Sequence, residues 1–219
     1  MTPPARTALV NGADLTEPPL RTALRAVKPS SGVNLAAAEQ AAAAFLVALG
    51  VDLDSESLAA TPARMARAYA EMFSPRPFDL TTFPNDAGYD ELIIARSIPV
   101  QSVCEHHLLP FVGVADVGYL PGERILGLSK LARVVELFAR RPQVQERLTQ
   151  QVADWLQDHL APRGVGVVIA AEHLCMTVRG VRAAGANTVT SALHGQLRSD
   201  AASRAEFFTL IAAHEEAHR

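Results

Sequence analysis

Residues 91–121 read ELIIARSIPVQSVCEHHLLPFVGVADVGYLP, and this stretch decides the predicted fold. Its first ten residues and the segment FVGVADVGYLP are rich in branched apolar residues, a composition that is typical of strands. Pro121 and Gly122 end the second strand. Only the short segment QSVCEHHLLP separates the two strands. Strands that follow one another along the chain in this way favour an antiparallel sheet.

Helical patterns lie on both sides of this strand pair. Before it, residues 34–50 predict a helix with Asn34 as its N-cap and Gly50 as its end. Residues 61–73 predict a second helix, with Thr61 as the cap and Pro62 at the first helical position. After the strand pair, SKLARVVELFARRP and QVQERLTQQVADWLQDHL repeat apolar residues at helical spacing. Residues 78–89 are predicted to form a loop.

The last third of the chain predicts three more strands, in GVGVVIAAEH, LCMTVRGVR and NTVTSALHG, and a final helix at residues 201–215. Residues 1–33 are rich in proline and small residues without periodicity, which predicts a disordered tail. The order of elements therefore predicts an α+β fold in which an antiparallel sheet carries helices on one face.

Composition narrows the class of protein. Hydrophobic residues make up 49% of the 219, so the chain can form a packed core. The net charge of −3 gives no reason to expect nucleic acid as the main partner. No apolar run has the length of a membrane span, and the N-terminus lacks the pattern of a secretory signal. Two cysteines do not form a disulfide framework, so we expect a cytoplasmic protein with free thiols.

Both cysteines lie close to a histidine. Cys104 and His107 have C-x-x-H spacing, and Cys175 follows His173 by two positions. Thiolate and imidazole are ligands that suit zinc, and three such ligands with one water form a catalytic site. The spacing alone does not separate a zinc site from a cysteine nucleophile paired with a histidine. A single cysteine in a strand is also commonly a small core residue.

Charged residues recur near the ends of the predicted elements. Glu146 lies in the first turn of a helix, where the sequence favours simple complementarity with the helix dipole over binding of a guanine-like edge. An isolated pair of basic residues usually forms a solvated face. Three pairs near a metal site instead indicate a polyanionic ligand such as a phosphate ester. These pairs are Arg64 and Arg67, Lys130 and Arg133, and Arg179 and Arg182.

Three blocks together closely resemble the zinc-dependent GTP cyclohydrolase I family, over about residues 35–213. They are SVCEHHLLPF, GLSKLARVVELFARRPQVQERLT and AEHLCMTVRGVR, in the order in which the family has them. The resemblance implies the tunnelling fold, with two long helices on one face of the sheet, in a catalytic domain at 78–219. A helical segment at 34–77 would precede it. It further implies a toroidal homo-oligomer, as a decamer of two pentameric rings, with active sites between subunits.

The resemblance also implies roles for the residues near the metal. Cys104, His107 and Cys175 match the family's ligands for one zinc ion per subunit, with water in the fourth position. His106 matches a histidine that donates a proton to the purine imidazole ring. His173 matches a second acid/base histidine near the ribose.

Other matching positions are implied to bind GTP. Glu146 matches the residue that holds the guanine, with Gln145 beside it, and Ser129 is implied to assist catalysis. The remaining basic matches are implied to lie around the ribose and triphosphate: Lys130, Arg133, Arg179, Arg64 and Arg67. Two positions depart from the family pattern, since an aromatic residue is expected at Gln101 and a basic one at His194.

The implied reaction starts with hydrolytic opening of the guanine imidazole ring at C8 and release of formate. An Amadori rearrangement and ring closure then yield 7,8-dihydroneopterin triphosphate, the first step towards tetrahydrofolate, other pterins or 7-deazapurines. One alternative keeps the fold but uses Cys104 or Cys175 as a nucleophile on a related purine or pterin. Another is a purine-binding oligomer with a structural zinc, which the presence of His106 and His173 disfavours. Glu105 is expected to support the ligands or the loop.

Overall fold

The computed structural model describes residues 32–217, so nearly all of the tail predicted for residues 1–33 lies outside the described part. Seven helices and seven strands follow one another in the described part: α1 (Leu35–Ala48), α2 (Thr61–Met72), β1 (Thr82–Pro84), β2 (Ile93–Cys104), β3 (Pro110–Leu120), β4 (Arg124–Leu126), α3 (Leu128–Ala139), β5 (Pro142–Gln143), α4 (Gln145–Leu160), β6 (Gly164–His173), α5 (Leu174–Thr177), β7 (Thr188–His194), α6 (Gly195–Ser199) and α7 (Ala201–Ala217). Within residues 32–217, no helix combines the length and the hydropathy that crossing a membrane requires.

A five-stranded sheet in the order β5-β2-β3-β6-β7 organises the molecule. The predicted pairing of β2 with β3 is confirmed, with Ser102 opposite Phe111. All neighbouring strands are antiparallel except the two-residue β5, which runs parallel to β2. A bulge interrupts β2 between Ala95 and Ile98, where Ser97 has a φ of 55° and its N–H donates to the Asp116 carboxylate at 2.8 Å.

The two long helices α3 and α4 cover one face of this sheet, as predicted. Apolar residues at helical spacing point from both helices onto alternate residues of the strands. Burying each of these side chains contributes about 1.5–3 kcal/mol, which holds the helices to the sheet. The main members of this core are Leu131, Val134, Val135, Leu148, Val152, Leu156, Val117, Val165, Val167 and Ile169.

A smaller apolar cluster lies on the opposite face, where Phe207 of α7 is fully buried. Its ring packs over Gly118 of β3 and Gly166 of β6. A Cβ at Gly166 would lie 2.8 Å from the Phe207 ring, so the ring fits only because these positions carry no side chain. The C-terminal helix therefore adds a partial second helical layer, which the sequence did not predict.

The two ends of the sheet bring together different strand and helix ends. Cys104 at the end of β2, the start of β3 and His173 at the end of β6 meet at one end, which we call the Cys104 end. α4 begins at this end and α3 finishes there. The other end, called the Tyr119 end, holds the start of α3, since the Leu126 N–H donates to the Tyr119 hydroxyl at 2.9 Å.

Several local predictions are corrected. The segment LCMTVRGVR is not a strand, because α5 and a turn with Gly180 and Arg182 at positive φ reverse the chain there. Its β-branched residues are typical of strands, but the Ala183 N–H donates to the Met176 carbonyl and closes a loop. Thr61 is the first helical residue rather than the cap. Residues 78–89 contain the short strand β1.

The predictions for the first helix fit the structure well. The Asn34 side chain accepts from the Ala37 N–H at 3.0 Å and caps α1. Gly50 has a φ of 81°, a left-handed conformation that ends helices without strain in glycine.

Candidate metal centre and active site

The turn after β2 places two candidate ligands on one side of the chain. We call residues 104–108 the metal loop. The Cys104 N–H donates to the Leu109 carbonyl at 2.9 Å, and the Leu108 N–H donates to the Cys104 carbonyl at 2.8 Å. Leu108 takes a left-handed φ of 51° to close this turn. Because the turn is tight, the side chains of Cys104 and His107 approach each other, with Sγ and Nδ1 4.0 Å apart.

The third candidate ligand comes from a different part of the chain. β6 ends at His173, and the following turn of α5 carries Cys175 back towards the metal loop. One ligand atom from each of Cys104, His107 and Cys175 lies within 4.8 Å of the others. Two thiols and one imidazole are a donor set that suits zinc and leaves a fourth position open. These residues therefore fit a catalytic zinc ion.

Burial raises the pKa of the Cys175 thiol, and the neighbouring Cys104 raises it further. The thiolate is the reactive form of cysteine, so a raised pKa disfavours Cys175 as a nucleophile in the absence of a metal.

A cavity of about 300 Å³ opens beside the three candidate ligands. It contains His106 and His173, the two residues expected to exchange protons, together with Glu146. The remaining lining residues come from β5, the start of α4, α5 and β7: Gln143, Val144, Gln145, Met176 and Thr188.

His173 is held by two contacts. Its ring stacks on Phe111, with centroids 4.5 Å apart and planes 11° from parallel. Its Nε2 lies 2.7 Å from the Gln145 amide oxygen. The Gln145 amide nitrogen donates to the carbonyls of Ile169 at 3.0 Å and Thr188 at 2.9 Å. Since this nitrogen must face the carbonyls, the amide oxygen must accept from His173, so Nε2 carries the proton.

Gln145 lines the cavity, and its amide is bonded to groups of the protein itself. It is buried, and its amide is fully engaged by His173 and the two strands beside it. Burial also lowers the pKa of His173, an effect that the nearby Glu146 carboxylate partly opposes. A lowered pKa favours the neutral imidazole, which can accept a proton.

Glu146 is compatible with both explanations considered from the sequence. It lies in the first turn of α4, where the helix dipole favours a negative charge. It also lines the cavity, so its carboxylate is available to a ligand there.

The start of α3 is not brought to this cavity. The Ser102 hydroxyl donates to the Ala139 carbonyl at 2.7 Å, which places the last turn of α3 at the Cys104 end. Lys130 lies nine residues earlier, roughly 14 Å along the helix at 1.5 Å per residue. Ser129 precedes it, and Arg133 pairs with Glu136 at 3.1 Å. Ser129 and Lys130 therefore lie towards the Tyr119 end, whereas Arg133 lies midway along α3, about 9 Å from Ala139.

The other candidate basic residues also lie outside the cavity lining. Arg64 and Arg67 are exposed on α2. Arg179 follows α5 and is exposed, but its charge acts on Cys175 and lowers that thiol's pKa slightly against the larger raising effects. Among the candidate triphosphate contacts, Arg179 is therefore the closest in sequence to a candidate metal ligand, since it follows Cys175 by four residues.

A family model described as GTP cyclohydrolase I matches residues 38–212 of this chain. The chain belongs to the GTP cyclohydrolase I family. Proteins named GTP cyclohydrolase 1 are 53% identical over 186 residues in Thermobifida fusca and 56% identical over 181 residues in Streptomyces avermitilis. These alignments cover 83% and 80% of this chain and 90% of each relative. A relative of the same name from Corynebacterium glutamicum is 53% identical, over 80% of this chain and 94% of its own.

A solved structure of the archaeosine synthase QueF-Like is also similar, at 18% identity and a TM-score of 0.38 over 48% of this chain and 93% of that chain. A likeness at this level bears on neither fold nor function.

This member of the GTP cyclohydrolase I family contains site residues that sequence reasoning missed. Phe111 supports His173, and its only sequence signal is that it begins the strand after the metal loop. Thr188 supplies both a carbonyl for Gln145 and part of the cavity wall. No sequence pattern indicates it, because β7 reaches the cavity only by pairing with β6.

Proposed function

We propose that this protein carries out the GTP cyclohydrolase I reaction in the cavity beside Cys104, His107 and Cys175. GTP is opened at C8, formate leaves, and rearrangement with ring closure yields 7,8-dihydroneopterin triphosphate. The observation that carries this assignment is the approach of the three ligand atoms to within 4.8 Å, in a cavity shared with two histidines. Membership of the family gives the substrate class.

Zinc is the proposed cofactor, one ion per subunit, held by Cys104, His107 and Cys175. When bound to three protein ligands, zinc acts as a Lewis acid and makes water nucleophilic near neutral pH. The metal loop and α5 position the ligand atoms from two separate segments of chain. This arrangement leaves one side of the cluster open to the cavity.

His106 is proposed to donate a proton to the purine imidazole ring as the ring opens. Its Nδ1 lies 3.8 Å from the Cys104 Sγ, so the ring stands directly beside the candidate metal. Its Nε2 lies 3.9 Å from the Glu105 carboxylate. The His106 side chain is exposed, so solvent can reach the ring between turnovers.

His173 is proposed to act later, in the rearrangement of the ribose. The Gln145 contact holds the proton on Nε2, so Nδ1 is the atom that exchanges a proton with the sugar. Stacking on Phe111 fixes the plane of the ring. We therefore assign Gln145 as a positioning residue for His173 rather than as a direct guanine contact.

Glu146 is proposed to bind the guanine through two N–H groups of its edge. The triphosphate and ribose need further groups that one subunit does not present at the cavity within the described residues. Ser129 and Lys130 lie towards the Tyr119 end, roughly 14 Å from the end of α3 that adjoins the metal loop. Arg133 lies midway along α3, about 9 Å from that end, and does not line the cavity. We propose that a neighbouring copy of the chain supplies them, in a ring-shaped homo-oligomer such as a decamer. The proposed triphosphate contacts are Arg179, Arg64 and Arg67.

The test is an assay with GTP on the purified chain, with zinc quantified in the same sample. We expect formate and, after oxidation, fluorescent neopterin, with activity lost on chelation and restored by zinc. Cys175→Ser should lose both the metal and the activity. His159→Ala is a matched control, because this histidine stacks on Trp155 away from the cavity. Full activity in metal-free protein would instead support the alternative in which a cysteine acts as the nucleophile.

A further inference from the structure

Glu105 lies in the metal loop but is not one of the clustered ligands. One oxygen of its carboxylate accepts a hydrogen bond from the Arg147 Nη2, and the other lies 3.9 Å from His106 Nε2. Arg147 belongs to the first turn of α4, directly after Glu146. The same helical turn that carries the proposed guanine ligand is therefore joined to the metal loop.

Arg147 is itself held in place by a second acceptor. Its Nε donates to the Gln143 side-chain oxygen at 3.0 Å. Gln143 is 1% exposed, and its amide nitrogen donates to the Phe138 carbonyl at 2.8 Å and the Gln151 side chain at 2.9 Å. Two nitrogens of one planar guanidinium thus contact two acceptors, a geometry that lysine cannot reproduce.

The backbone strengthens this connection. The Glu105 N–H donates to the Gln143 carbonyl at 3.0 Å, next to the short pairing of Cys104 with Gln143. On the other side of the metal loop, the Tyr69 hydroxyl donates to the Leu108 carbonyl at 3.0 Å. The exposed His107 lies between these two attachments, so its position depends on how firmly they hold the loop.

We propose that Arg147 is a positioning residue for the metal centre, which acts through Glu105 to hold Cys104 and His107 in place relative to Cys175. This inference rests on the proposed zinc site. An exposed ion pair adds little to global stability, and both side chains are partly exposed, at 45% and 33%. The consequence of losing the pair should therefore appear in metal retention more than in unfolding.

The experiment measures zinc affinity and dissociation rate of the full-length holoprotein by competition with a chromophoric chelator. Arg147→Met keeps an unbranched apolar stem but removes the guanidinium and with it both donors. We expect zinc binding about 10-fold to 100-fold weaker, the range for loss of groups that orient metal ligands. Glu105→Ala should weaken binding by a similar factor, and the double variant should lose no more than either single variant. The zinc affinity of Arg147→Lys should lie between that of wild type and that of Arg147→Met.

A matched control and a mild variant keep the test decisive. Arg163→Met removes an arginine just beyond the far end of α4 that donates to the Pro121 carbonyl at 3.0 Å, and zinc affinity should not change. Glu105→Gln keeps an acceptor for Arg147 and should remain close to wild type, even if Arg147→Met folds poorly. The inference would be overturned if Glu105→Ala bound zinc as tightly as wild type. It would also be overturned if the fold-loss of zinc affinity in the double variant equalled the product of the two single losses. Failure of the wild-type chain to bind zinc would overturn the proposed metal site itself.

Discussion

Replacing Gln145 by leucine should separate the two halves of the reaction. The variant fills nearly the same volume but loses the hydrogen bond to His173 Nε2 at 2.7 Å and both bonds to the carbonyls of Ile169 and Thr188. Formate release, assigned to the metal and His106, should continue. Formation of neopterin triphosphate, assigned to His173, should slow.

The expected magnitude follows from the hydrogen bonds that leucine cannot form. A hydrogen bond to a charged group contributes about 1.5–3 kcal/mol, so losing the support for protonated His173 should slow its step roughly 10-fold to 100-fold. Leaving the buried Ile169 carbonyl and the partly buried Thr188 carbonyl without this donor should also lower the free energy of unfolding, by about 1–3 kcal/mol for the buried group and less for the other. A domain with an ordinary stability of about 5–15 kcal/mol stays folded after such a loss.

The assay follows formate with a coupled dehydrogenase and neopterin by fluorescence in the same reaction, with zinc content and urea unfolding measured in parallel. Thr149→Val is the matched control, since the Thr149 hydroxyl contacts Thr190 at 2.6 Å and the Gln145 carbonyl but not His173. It should destabilise the protein without separating the two products. Equal slowing of formate and neopterin in folded, zinc-loaded Gln145→Leu would refute the reasoning.

Three further predictions test the metal centre, the second face of the sheet and an acid-sensitive ion pair. His106→Ala should keep zinc and lose ring opening, whereas His107→Ala should lose zinc; metal analysis of both variants checks this, and zinc loss in His106→Ala would contradict it. Gly166→Ala should lower the free energy of unfolding by about 1–3 kcal/mol, because its Cβ would meet Phe207 at 2.8 Å; an unchanged urea midpoint would show that the ring moves aside freely. Hydrogen bonding from Arg76 holds the pKa of Glu136 below its ordinary 4.5, so this carboxylate stabilises the fold above about pH 4.5 and less as the pH falls towards the folded value. Glu136→Gln should therefore be less stable than wild type at neutral pH, and the gap should narrow in acid; a gap independent of pH would contradict the ion pair.

Most of the secondary structure was predictable, because the periodicity that a buried face demands is local in sequence. The spacing of Leu131, Val134 and Val135 predicted α3, and the helix lies where expected. The prediction was wrong at LCMTVRGVR, where Thr177 and Val178 are typical of strands. That segment instead turns and brings Cys175 to the metal loop. Its conformation depends on where Cys104 and His107 lie, and these residues are distant in sequence.

Short motifs were enough to establish the family, the candidate ligands Cys104, His107 and Cys175, and the neighbouring histidines, because each motif lies within a few consecutive residues. The tertiary structure was needed to show that the Gln145 amide bonds to His173, and that Arg147 joins the metal loop to α4 through Glu105. It was also needed to place Lys130 far along α3 from the cavity. These relations depend on how strands and helices meet across the sheet, and distances between separate segments are created by packing rather than by local residue preference.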